Sequence, residues 1–372
     1  MKNYDVIIVG GGSMGIAAAY YLQKHQQNVL VLEQSTIPNT IGSHHGATRI
    51  LRMGYGNGGQ YVPILKEALQ LWKDLEKETS KELYHPVGAL SLGHKNSTFV
   101  KETIESSLAH DLPHEQLTAA EMMDRYKGIR IPDDYVGCYD PLSGFLMSET
   151  CIKTYKEEAI RLGATVLENT AVTNINTVAT HPVVETSSAI YETRKVIVTA
   201  GAWNGKLLAD FELPMKPVRK TIGWYETDRQ TYTNDFPVFV FDTLHDGHFY
   251  GFPDYDGKGL KIGKMEGGDT VNPDAMERVF TDQDSEELEL FTSKYLPNVS
   301  SRRLDGKVCL FTNTPDDDFI VDFLNEQKNV IVAGGFSGHG FKFASVIGDI
   351  LREMAIEGST SRNIDYLKKS RF

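Results

Sequence analysis

Short, uninterrupted hydrophobic runs begin the chain, with a glycine turn and a helical pattern between them. Residues 6–9 are a run of β-branched residues that ends at Gly10, and residues 29–32 are a second run that ends at Glu33. Runs without polar alternation are typical of strands buried on both faces of a parallel sheet. Residues 14–24 have the spacing of an apolar helix. The pattern therefore predicts a β-α-β unit of about 30 residues.

Helical and strand patterns alternate again in the middle of the chain. Residues 60–79 place leucine and tryptophan at helical intervals between charged residues, which predicts an amphipathic helix. Residues 151–162 predict a helix and residues 165–167 a strand. Residues 196–203, VIVTAGAW, form an apolar strand pattern that leads into a turn of small residues. The α/β character therefore resumes at mid-chain.

A different pattern occupies residues 216–307. Short strand-like runs recur there and are broken by Gly, Pro, Asn and Asp; they lie at residues 221–225, 238–241, 248–252 and 259–262. Such spacing is typical of antiparallel strands. At residues 329–344 the earlier pattern returns as a buried strand and a glycine-rich turn, with a helix expected from about 344 to 357.

These changes of pattern predict an α/β protein with two domains, and the 372 residues suffice for two or three folding units. The first domain is a discontinuous nucleotide-binding domain of Rossmann-like architecture, formed by residues 1–85, 145–215 and 308–372. The second is an α+β substrate domain with a mostly antiparallel sheet, formed by residues 86–144 and 216–307.

Composition and charge exclude several classes of protein. Hydrophobic residues make up 41% and charged residues 24% of the chain, as in ordinary globular domains, and no stretch approaches the ~20 apolar residues that a bilayer span needs. The formal net charge of -12 disfavours non-specific binding to nucleic acid or anionic lipid. We therefore expect a small-molecule substrate, with no nucleic acid and no membrane as partner.

The cysteines are few and scattered. Cys138, Cys151 and Cys309 form no CxxC pair, so neither a disulfide framework nor a zinc ribbon is predicted, and we expect no metal. The first residues lack the long apolar stretch and cleavage site of a secretory signal. We expect a cytoplasmic protein.

The first glycine turn carries a dinucleotide-binding motif. Gly10 allows the tight turn, Gly12 lets the backbone approach a pyrophosphate, and Gly15 lets the helix pack on the strand. Glu33, near the expected offset, would accept hydrogen bonds from ribose hydroxyls. The backbone amides at the positive end of the helix, which complete the predicted contacts, belong to Ser13 and Met14. The motif alone leaves nicotinamide and flavin dinucleotides open.

Two distant turns of small residues favour a flavin. The run at 196–203 ends in Ala200 and Gly201, and the last strand leads to Gly338 and Gly340. Small residues at such turns permit close approach of the backbone to a cofactor. A single nicotinamide-binding domain would leave these turns unexplained, whereas an extended FAD needs contacts from the first, middle and last segments. We therefore expect an FAD-binding domain of the glutathione-reductase type.

Longer segments of the chain resemble the monomeric sarcosine oxidase and N-methyltryptophan oxidase family, flavoproteins of the wider D-amino-acid oxidase type. The segments that carry the resemblance are GSHHGATRILR at 42–52, HFYGFP at 248–253, GLKIG at 259–263, Val308-Cys309, and GFSGHGFKF at 335–343. The resemblance implies a monomeric FAD-dependent oxidase of a secondary amine, such as sarcosine or another N-methyl amino acid. The products would be an imine, which hydrolyses, and hydrogen peroxide from dioxygen.

The resemblance also implies roles for residues around the flavin. Cys309 would form a thioether with the 8α-methyl carbon, so that FAD is covalently held. His44, His45 and Arg49 would lie against the flavin as part of a compact cationic cluster. Lys261 would lie over the flavin face, where its charge favours electron transfer to dioxygen. Val172 would contact adenine through its backbone.

The substrate site is implied in the same way. Arg52 and Lys342 would bind the substrate carboxylate, with Lys342 also next to the cofactor, and a guanidinium can hold a carboxylate in a fork. Tyr250 would line the substrate pocket and take part in catalysis. Phe241 stands where the sarcosine enzymes carry a methionine near the substrate.

Two positions depart from the sarcosine oxidase pattern. Met265 stands where that pattern has a histidine, and Phe311 where it has a tyrosine. These replacements make the predicted pocket less polar and favour a bulkier or more apolar secondary amine. Two alternatives stay open at this point: a flavin amine dehydrogenase with another acceptor, and a non-catalytic FAD-binding partner protein.

Overall fold

The computed structural model describes residues 4–56, 58–228, 230–233 and 235–372. The strands in chain order are β1 (Tyr4–Val9), β2 (Val29–Leu32), β3 (Thr48–Leu51), β4 (Tyr84–His85), β5 (Ala89–His94), β6 (Glu115–Thr118), β7 (Tyr135–Asp140), β8 (Gly144–Met147), β9 (Thr165–Leu167), β10 (Val172–Asn176), β11 (Val183–Thr186), β12 (Ile190–Val198), β13 (Lys216–Thr227), β14 (Val238–Asp242), β15 (His248–Phe252), β16 (Leu260–Lys264), β17 (Val299–Asn313), β18 (Ile320–Phe323) and β19 (Val330–Gly334). The helices are α1 (Ser13–Lys24), α2 (Val62–Thr79), α3 (Thr98–Ala109), α4 (Ala119–Arg125), α5 (Ser148–Arg161), α6 (Asn204–Leu207), α7 (Asp282–Tyr295) and α8 (Ala344–Glu357).

The first sheet has a parallel core in the order β9-β2-β1-β12-β19. β18 adds an antiparallel edge to β19, and β10 and β11 form an antiparallel extension on the first part of β12. α1 and α8 lie closely packed, since a Cβ at Gly348 would stand 2.7 Å from the Cβ of Ala17. The arrangement confirms the predicted Rossmann-like fold with its β1-α1-β2 unit.

The second sheet has the order β17-β13-β16-β15-β14-β5-β7-β6, and all neighbours in it are antiparallel except β14 and β5. α7 covers one face, which we call the helix face. There Phe249 stacks on Phe291 of α7 with ring centroids 4.3 Å apart. We call the opposite face, which carries Tyr250 and Lys261, the cavity face. The mostly antiparallel sheet is as predicted.

The structure of residues 216–307 differs in two places from the expected series of short strands. α7 was not expected, because its sequence is rich in acidic residues and has few apolar positions, of which Leu288 and Phe291 are buried. Its start is fixed by a capping box between Thr281 and Asp284. β17 also continues far beyond a short run and pairs with β13 along most of its length. Packing of α7 on the sheet outweighs its weak amphipathic pattern.

β3, β8 and β4 form a small third sheet. Along the chain, its strands occur where the chain passes from one large sheet to the other. The first sheet draws its strands from residues 1–85, 145–215 and 308–372, whereas β17 of the second sheet runs across residue 308. The division into two domains stays a prediction. No helix in the described ranges has the length and apolar character that crossing a bilayer requires.

Candidate active site and cofactor cavity

A cavity of about 500 Å³ lies at the carboxyl ends of β1, β2, β12 and β19, beside the end of β17. Ligands in open α/β sheets bind at this edge. The predicted cofactor residues that line it are Gly10, Gly12, Ser13, Met14, Glu33, His44, Arg49, Val172, Ala200, Gly201, Gly338 and Gly340. Segments from the start, middle and end of the chain therefore meet around one elongated space.

The glycine turn has the geometry that a dinucleotide needs. A Cβ at Gly10 would stand 2.6 Å from the carbonyl oxygen of Thr199, so the turn excludes any side chain there. A Cβ at Gly12 would approach nothing closer than 3.9 Å, and Gly12 is also the N-cap residue of α1, where it supplies no side-chain cap. The free amides at this helix end fit a pyrophosphate. Gly15 is not part of the lining. It packs α1 against the turn after β1, where a Cβ would stand 2.0 Å from the Gly10 carbonyl oxygen.

Glu33 closes the end of the cavity next to β2. Its carboxylate accepts hydrogen bonds from the amides of Gly11 at 2.8 Å and Ser35 at 3.0 Å. Burial raises the pKa of Glu33 above its ordinary value, and the two amides oppose that shift. The carboxylate is thus held in place at the position predicted for ribose recognition.

Several lining residues were missed by sequence reasoning. They include Asn39, Ile41, Trp203, Lys206, Asp274 and Phe336. Trp203 Nε1 and Lys206 Nζ both donate to the carboxylate of Asp274, at 2.6 and 2.7 Å. Asp274 lies between β16 and α7, and no local sequence signal connects it with the turn after β12. Trp203, by contrast, belongs to the 196–203 run that the pattern did identify.

The segment at 42–49 is fixed from two sides. Glu149, at the start of α5, accepts hydrogen bonds from the amides of Gly46 at 2.8 Å and Ala47 at 3.1 Å. From the other side, Lys261 Nζ donates to the carbonyl oxygens of Gly46 at 2.7 Å and Thr48 at 2.8 Å. Ala47 has a φ of 68°, a backbone conformation that side chains rarely adopt, so these contacts hold a strained turn. Glu149 was not predicted.

We expect Glu149→Ala to lower the free energy of unfolding by about 3 kcal/mol at pH 7, because charged hydrogen bonds of this kind contribute about 1.5–3 kcal/mol. Burial alone would raise the pKa of Glu149, but hydrogen bonds, first among them the one from Ala47, hold it at about 2. A depressed carboxyl pKa gives stability that is complete above the ordinary pKa of 4.5 and is lost as the pH falls toward 2. Urea unfolding at pH 7 and pH 3 measures both effects.

The matched control is Glu157→Ala on the same helix. Glu157 makes an exposed pair with Lys153 at 3.8 Å, so we expect a change below about 1 kcal/mol. Equal losses of stability in the two variants would contradict the role assigned to Glu149.

The predicted cationic cluster at 44–52 needs a correction. Burial and then the charge of Arg49 lower the pKa of His44 to about 4 and that of His45 to about 3, so both rings are neutral at pH 7. Arg49 carries the charge and donates to the carbonyl oxygens of Ser43, His45 and Thr48 at 2.6 to 2.7 Å. Neither ring nitrogen of His45 has a hydrogen-bond partner among the described residues. A buried unpartnered imidazole fits a bound group with polar edges.

Arg52 and Lys342 form a pair of buried cations, each 6% exposed. Both approach the ring of Tyr55, with the Arg52 guanidinium 5.6 Å and Lys342 Nζ 5.0 Å from its centroid. Lys342 donates to the His339 carbonyl oxygen at 2.6 Å, while Nη1 of Arg52 has no partner in the described part of the chain. Burial lowers the pKa of both cations. The arrangement fits a bound carboxylate.

Tyr250 lies on the cavity face and Phe241 does not. Tyr250 packs in an apolar cluster with Ile50 and Met265, and its cross-strand partner on β14 is Val240. Adjacent strand residues point to opposite faces, so Phe241 lies on the helix face, 4.5 Å from the Tyr295 ring. Phe241 therefore lies on the face opposite Tyr250, which is at odds with the predicted substrate contact, and Val240 takes the cavity-face position on β14.

Cys309 is 2% exposed on the cavity face of β17 and faces Lys220 of β13 in register. Burial raises the pKa of its thiol, whereas the charges of Arg49 and Lys261 act in the opposite direction. The next residues along β17, from Leu310 to Thr312, line the cavity. The predicted residues that are not part of this lining are His45, Arg52, Tyr250, Lys261, Cys309 and Lys342.

Comparison with known proteins places this geometry in a family context. A family model described as DAO, FAD dependent oxidoreductase, matches residues 5–354. The monomeric sarcosine oxidase of Bacillus sp. (strain NS-129) is 41% identical over 376 residues, covering 99% of this chain and 97% of that relative. The N-methyl-L-tryptophan oxidase of Yersinia pestis (strain Pestoides F) is 36% identical over 373 residues and is covered completely, as is this chain.

Solved structures share the fold over the full length. NikD, an unusual amino acid oxidase essential for nikkomycin biosynthesis, superposes in its open form with a TM-score of 0.88 and 25% identity, covering 99% of this chain and 98% of that chain. Glycine oxidase from Geobacillus kaustophilus has a TM-score of 0.85 at 18% identity and full coverage of both chains, a likeness of fold alone.

Proposed function

The chain belongs to the DAO family of FAD-dependent oxidoreductases, and we propose that it oxidises a secondary amine that carries a carboxylate, with dioxygen as electron acceptor. The observation that carries the substrate class is the Arg52–Lys342 pair. Two buried cations with no salt bridge in the described ranges cost folding free energy unless an anion completes the site. An amino acid carboxylate supplies that anion.

The chain's own residues bind and orient the reactants. FAD, when bound, supplies the two-electron chemistry that no side chain provides. The uncapped start of α1 and Glu33 fit its pyrophosphate and ribose, and the unpartnered imidazole of His45 offers it a hydrogen-bonding edge. Arg52 and Lys342 would fix the carboxylate, which leaves the amine and its neighbouring carbon turned toward the cavity.

Lys261 and Arg49 supply positive charge for the half-reaction in which dioxygen is reduced. Lys261 is 2% exposed, and its neighbours within the sheet are the rings of Phe252, at 4.3 Å, and Trp224, at 5.6 Å. In such a dry site a fixed charge stabilises a developing anion more strongly than it does in water. Superoxide and peroxide are the anions that form from dioxygen, so we assign Lys261 to their stabilisation.

The apolar cluster beside the cation pair indicates the side chain of the substrate. Phe99 contacts the Arg52 guanidinium at 4.7 Å and packs in one cluster with Ile50, Tyr250 and Met265. Because hydrocarbon and thioether surround the carboxylate site, we propose an N-methyl amino acid with an apolar side chain as the preferred substrate.

Further properties belong to the same proposal. The cavity-face position of Cys309 supports covalent attachment of FAD through its sulfur. We also propose a monomeric, cytoplasmic enzyme, in which residues 1–85, 145–215 and 308–372 bind FAD and residues 86–144 and 216–307 form the substrate domain.

Steady-state peroxide formation tests the proposed substrate class. We expect N-methyl amino acids with apolar side chains to give the highest kcat/KM, and the matching carboxamides to lose about 10²–10³-fold, because a buried charge pair is worth about 2–5 kcal/mol. The product is expected to be equimolar imine-derived carbonyl compound and peroxide. Equal turnover of acids and carboxamides would contradict the carboxylate site, and reduction without peroxide would indicate another acceptor.

A further inference from the structure

Lys220 is a buried lysine that the proposed reaction does not use. Its side chain is on β13, the residue is 5% exposed, and Nζ donates to the carbonyl oxygens of Glu266 at 2.6 Å and Gly267 at 3.0 Å. It has no ion pair within the part of the chain that the structure describes. Two carbonyl oxygens need only neutral donors, so the hydrogen bonds alone do not explain why an ammonium is buried here.

The register of the sheet places Lys220 next to Cys309. The two residues are direct partners across the antiparallel pair β13 and β17, where facing side chains project to the same face with Cβ atoms about 4.5–5.5 Å apart. Lys220 Nζ also lies 5.2 Å from the ring centroid of Phe311, which is on the same face of β17 and lines the cavity. Lys220 therefore lies beside a buried thiol and close to a ring that lines the cofactor cavity.

The surroundings of Cys309 are strongly cationic. Arg49 of β3, Lys261 of β16, and Lys220 and Arg219 of β13 all act on the thiol in the direction that favours its ionised form. Lys220 is the one of these that faces Cys309 in register. Arg219 pairs with Asp284 at 2.6 Å, and Lys261 and Arg49 carry the positive charge assigned above to the reaction with dioxygen, so a use for each of these three charges has already been given.

We propose that Lys220 is a positioning residue for Cys309: its ammonium stabilises the Cys309 thiolate and so sets the rate at which Cys309 becomes covalently bound to FAD. This inference rests on the proposed attachment through Cys309. In that step Sγ loses its proton and bonds to the flavin 8α carbon, which loses a second proton. The two electrons released pass through the flavin to dioxygen, which takes up two protons and leaves as hydrogen peroxide.

The charge of Lys220 gives the attachment step a pH signature. Burial lowers the pKa of Lys220 to about 8, opposed by the negative charges that Cys309 and Glu266 can carry. Lys264 lowers this pKa and Glu287 raises it; these two residues pair with each other on the helix face of the sheet. The ammonium is present at pH 7 and is lost as the pH rises through about 8, so its stabilisation of the thiolate decreases over that range.

The experiment follows covalent attachment rather than turnover. Full-length apoprotein from a riboflavin-starved host is mixed with FAD in air, and the flavin that remains in the acid-precipitated protein is measured over time from pH 6 to 9.5. The variants are Lys220→Gln, which keeps donors but not charge, and Lys220→Arg, which keeps charge at every pH used. Cys309→Ser provides the zero level.

We expect Lys220→Gln to slow attachment about tenfold at pH 7, since one unit of thiol pKa changes the thiolate fraction tenfold. Lys220→Arg should attach FAD near the wild-type rate at pH 7. Above pH 8 the wild type should approach Lys220→Gln, whereas Lys220→Arg should stay faster. Lys264→Met, which removes a lysine of the same sheet that is paired with Glu287, should match the wild type throughout.

Lys220→Gln that binds FAD with wild-type affinity and attaches it at the wild-type rate would overturn the inference. A wild type that retains no flavin in the precipitate would also overturn it, together with the Cys309 linkage. Peroxide formation from an N-methyl amino acid, measured on the same preparations with bound FAD, would show in that case that the proposed oxidase function stands. Failure of the inference and failure of the function are thus distinguishable.

Discussion

Lys261→Met should react with dioxygen about 10²–10³ times more slowly after reduction while it still takes electrons from the amine at nearly the wild-type rate, the loss usual when one donor to a developing anion is removed. Burial and then Arg49 lower the pKa of Lys261 well below its ordinary value. An anion that forms beside Lys261 offsets the desolvation cost of the buried ammonium and is itself stabilised. Stopped-flow mixing of reduced enzyme with aerated buffer measures the rate.

Lys307→Met is the matched control for this prediction. Lys307 Nζ lies 5.4 Å from the same Trp224 ring that Lys261 approaches, but its side chain is 41% exposed and close to Asp305. Water screens a charge at that position, so we expect a change in the oxygen rate below about twofold. Because Lys261 also holds the carbonyl groups of Gly46 and Thr48, amine-dependent reduction is measured in parallel. An unchanged oxygen rate in Lys261→Met would exclude the assigned role.

Arg52→Met should lower kcat/KM for an N-methyl amino acid by about 10²–10³-fold, because it removes one of two buried charges that pair with the carboxylate. The same variant should turn over the matching carboxamide at close to the wild-type rate, since the carboxamide is uncharged and forms no ion pair with Arg52. Lys342→Met should have the same selective effect, and the double variant should lose less than the product of the two single losses, because both cations contact one group.

Arg125→Met is a suitable control, since Arg125 likewise lies over aromatic rings, at 4.3 Å from Tyr139, but forms an exposed pair with Glu115. We expect its kcat/KM to be unchanged. If Arg52→Met slowed acids and carboxamides equally, Arg52 would be a packing residue and the substrate would be bound by other groups.

The fold was predictable where one local pattern decides the structure. β2 and β9 have the predicted bounds, and α2 begins two residues after its predicted start. Buried parallel strands need continuous apolar runs, and such runs are visible without tertiary information. α7 was missed because most of its residues are charged or polar and its stability comes from Phe291 and Tyr295 packing on the second sheet.

The site was predictable where residues lie in one motif and less so where strands bring them together. The glycine turn and the 42–52 segment mark the cavity, yet burial keeps the rings of His44 and His45 neutral instead of cationic. Phe241 lies on the helix face, and the strand pattern alone does not show which of the two faces of β14 is covered by α7. Glu149 and Asp274 reach the site from distant segments, and local spacing gives no sign of either.

Anaerobic addition of an apolar N-methyl amino acid to the purified, FAD-containing protein tests the central claim most directly. We predict that the visible flavin absorbance is lost on mixing and returns when air is admitted, with peroxide equimolar to the amine consumed. Absorbance that stays unchanged with every secondary amino acid offered would contradict the assignment of this chain as an amine oxidase.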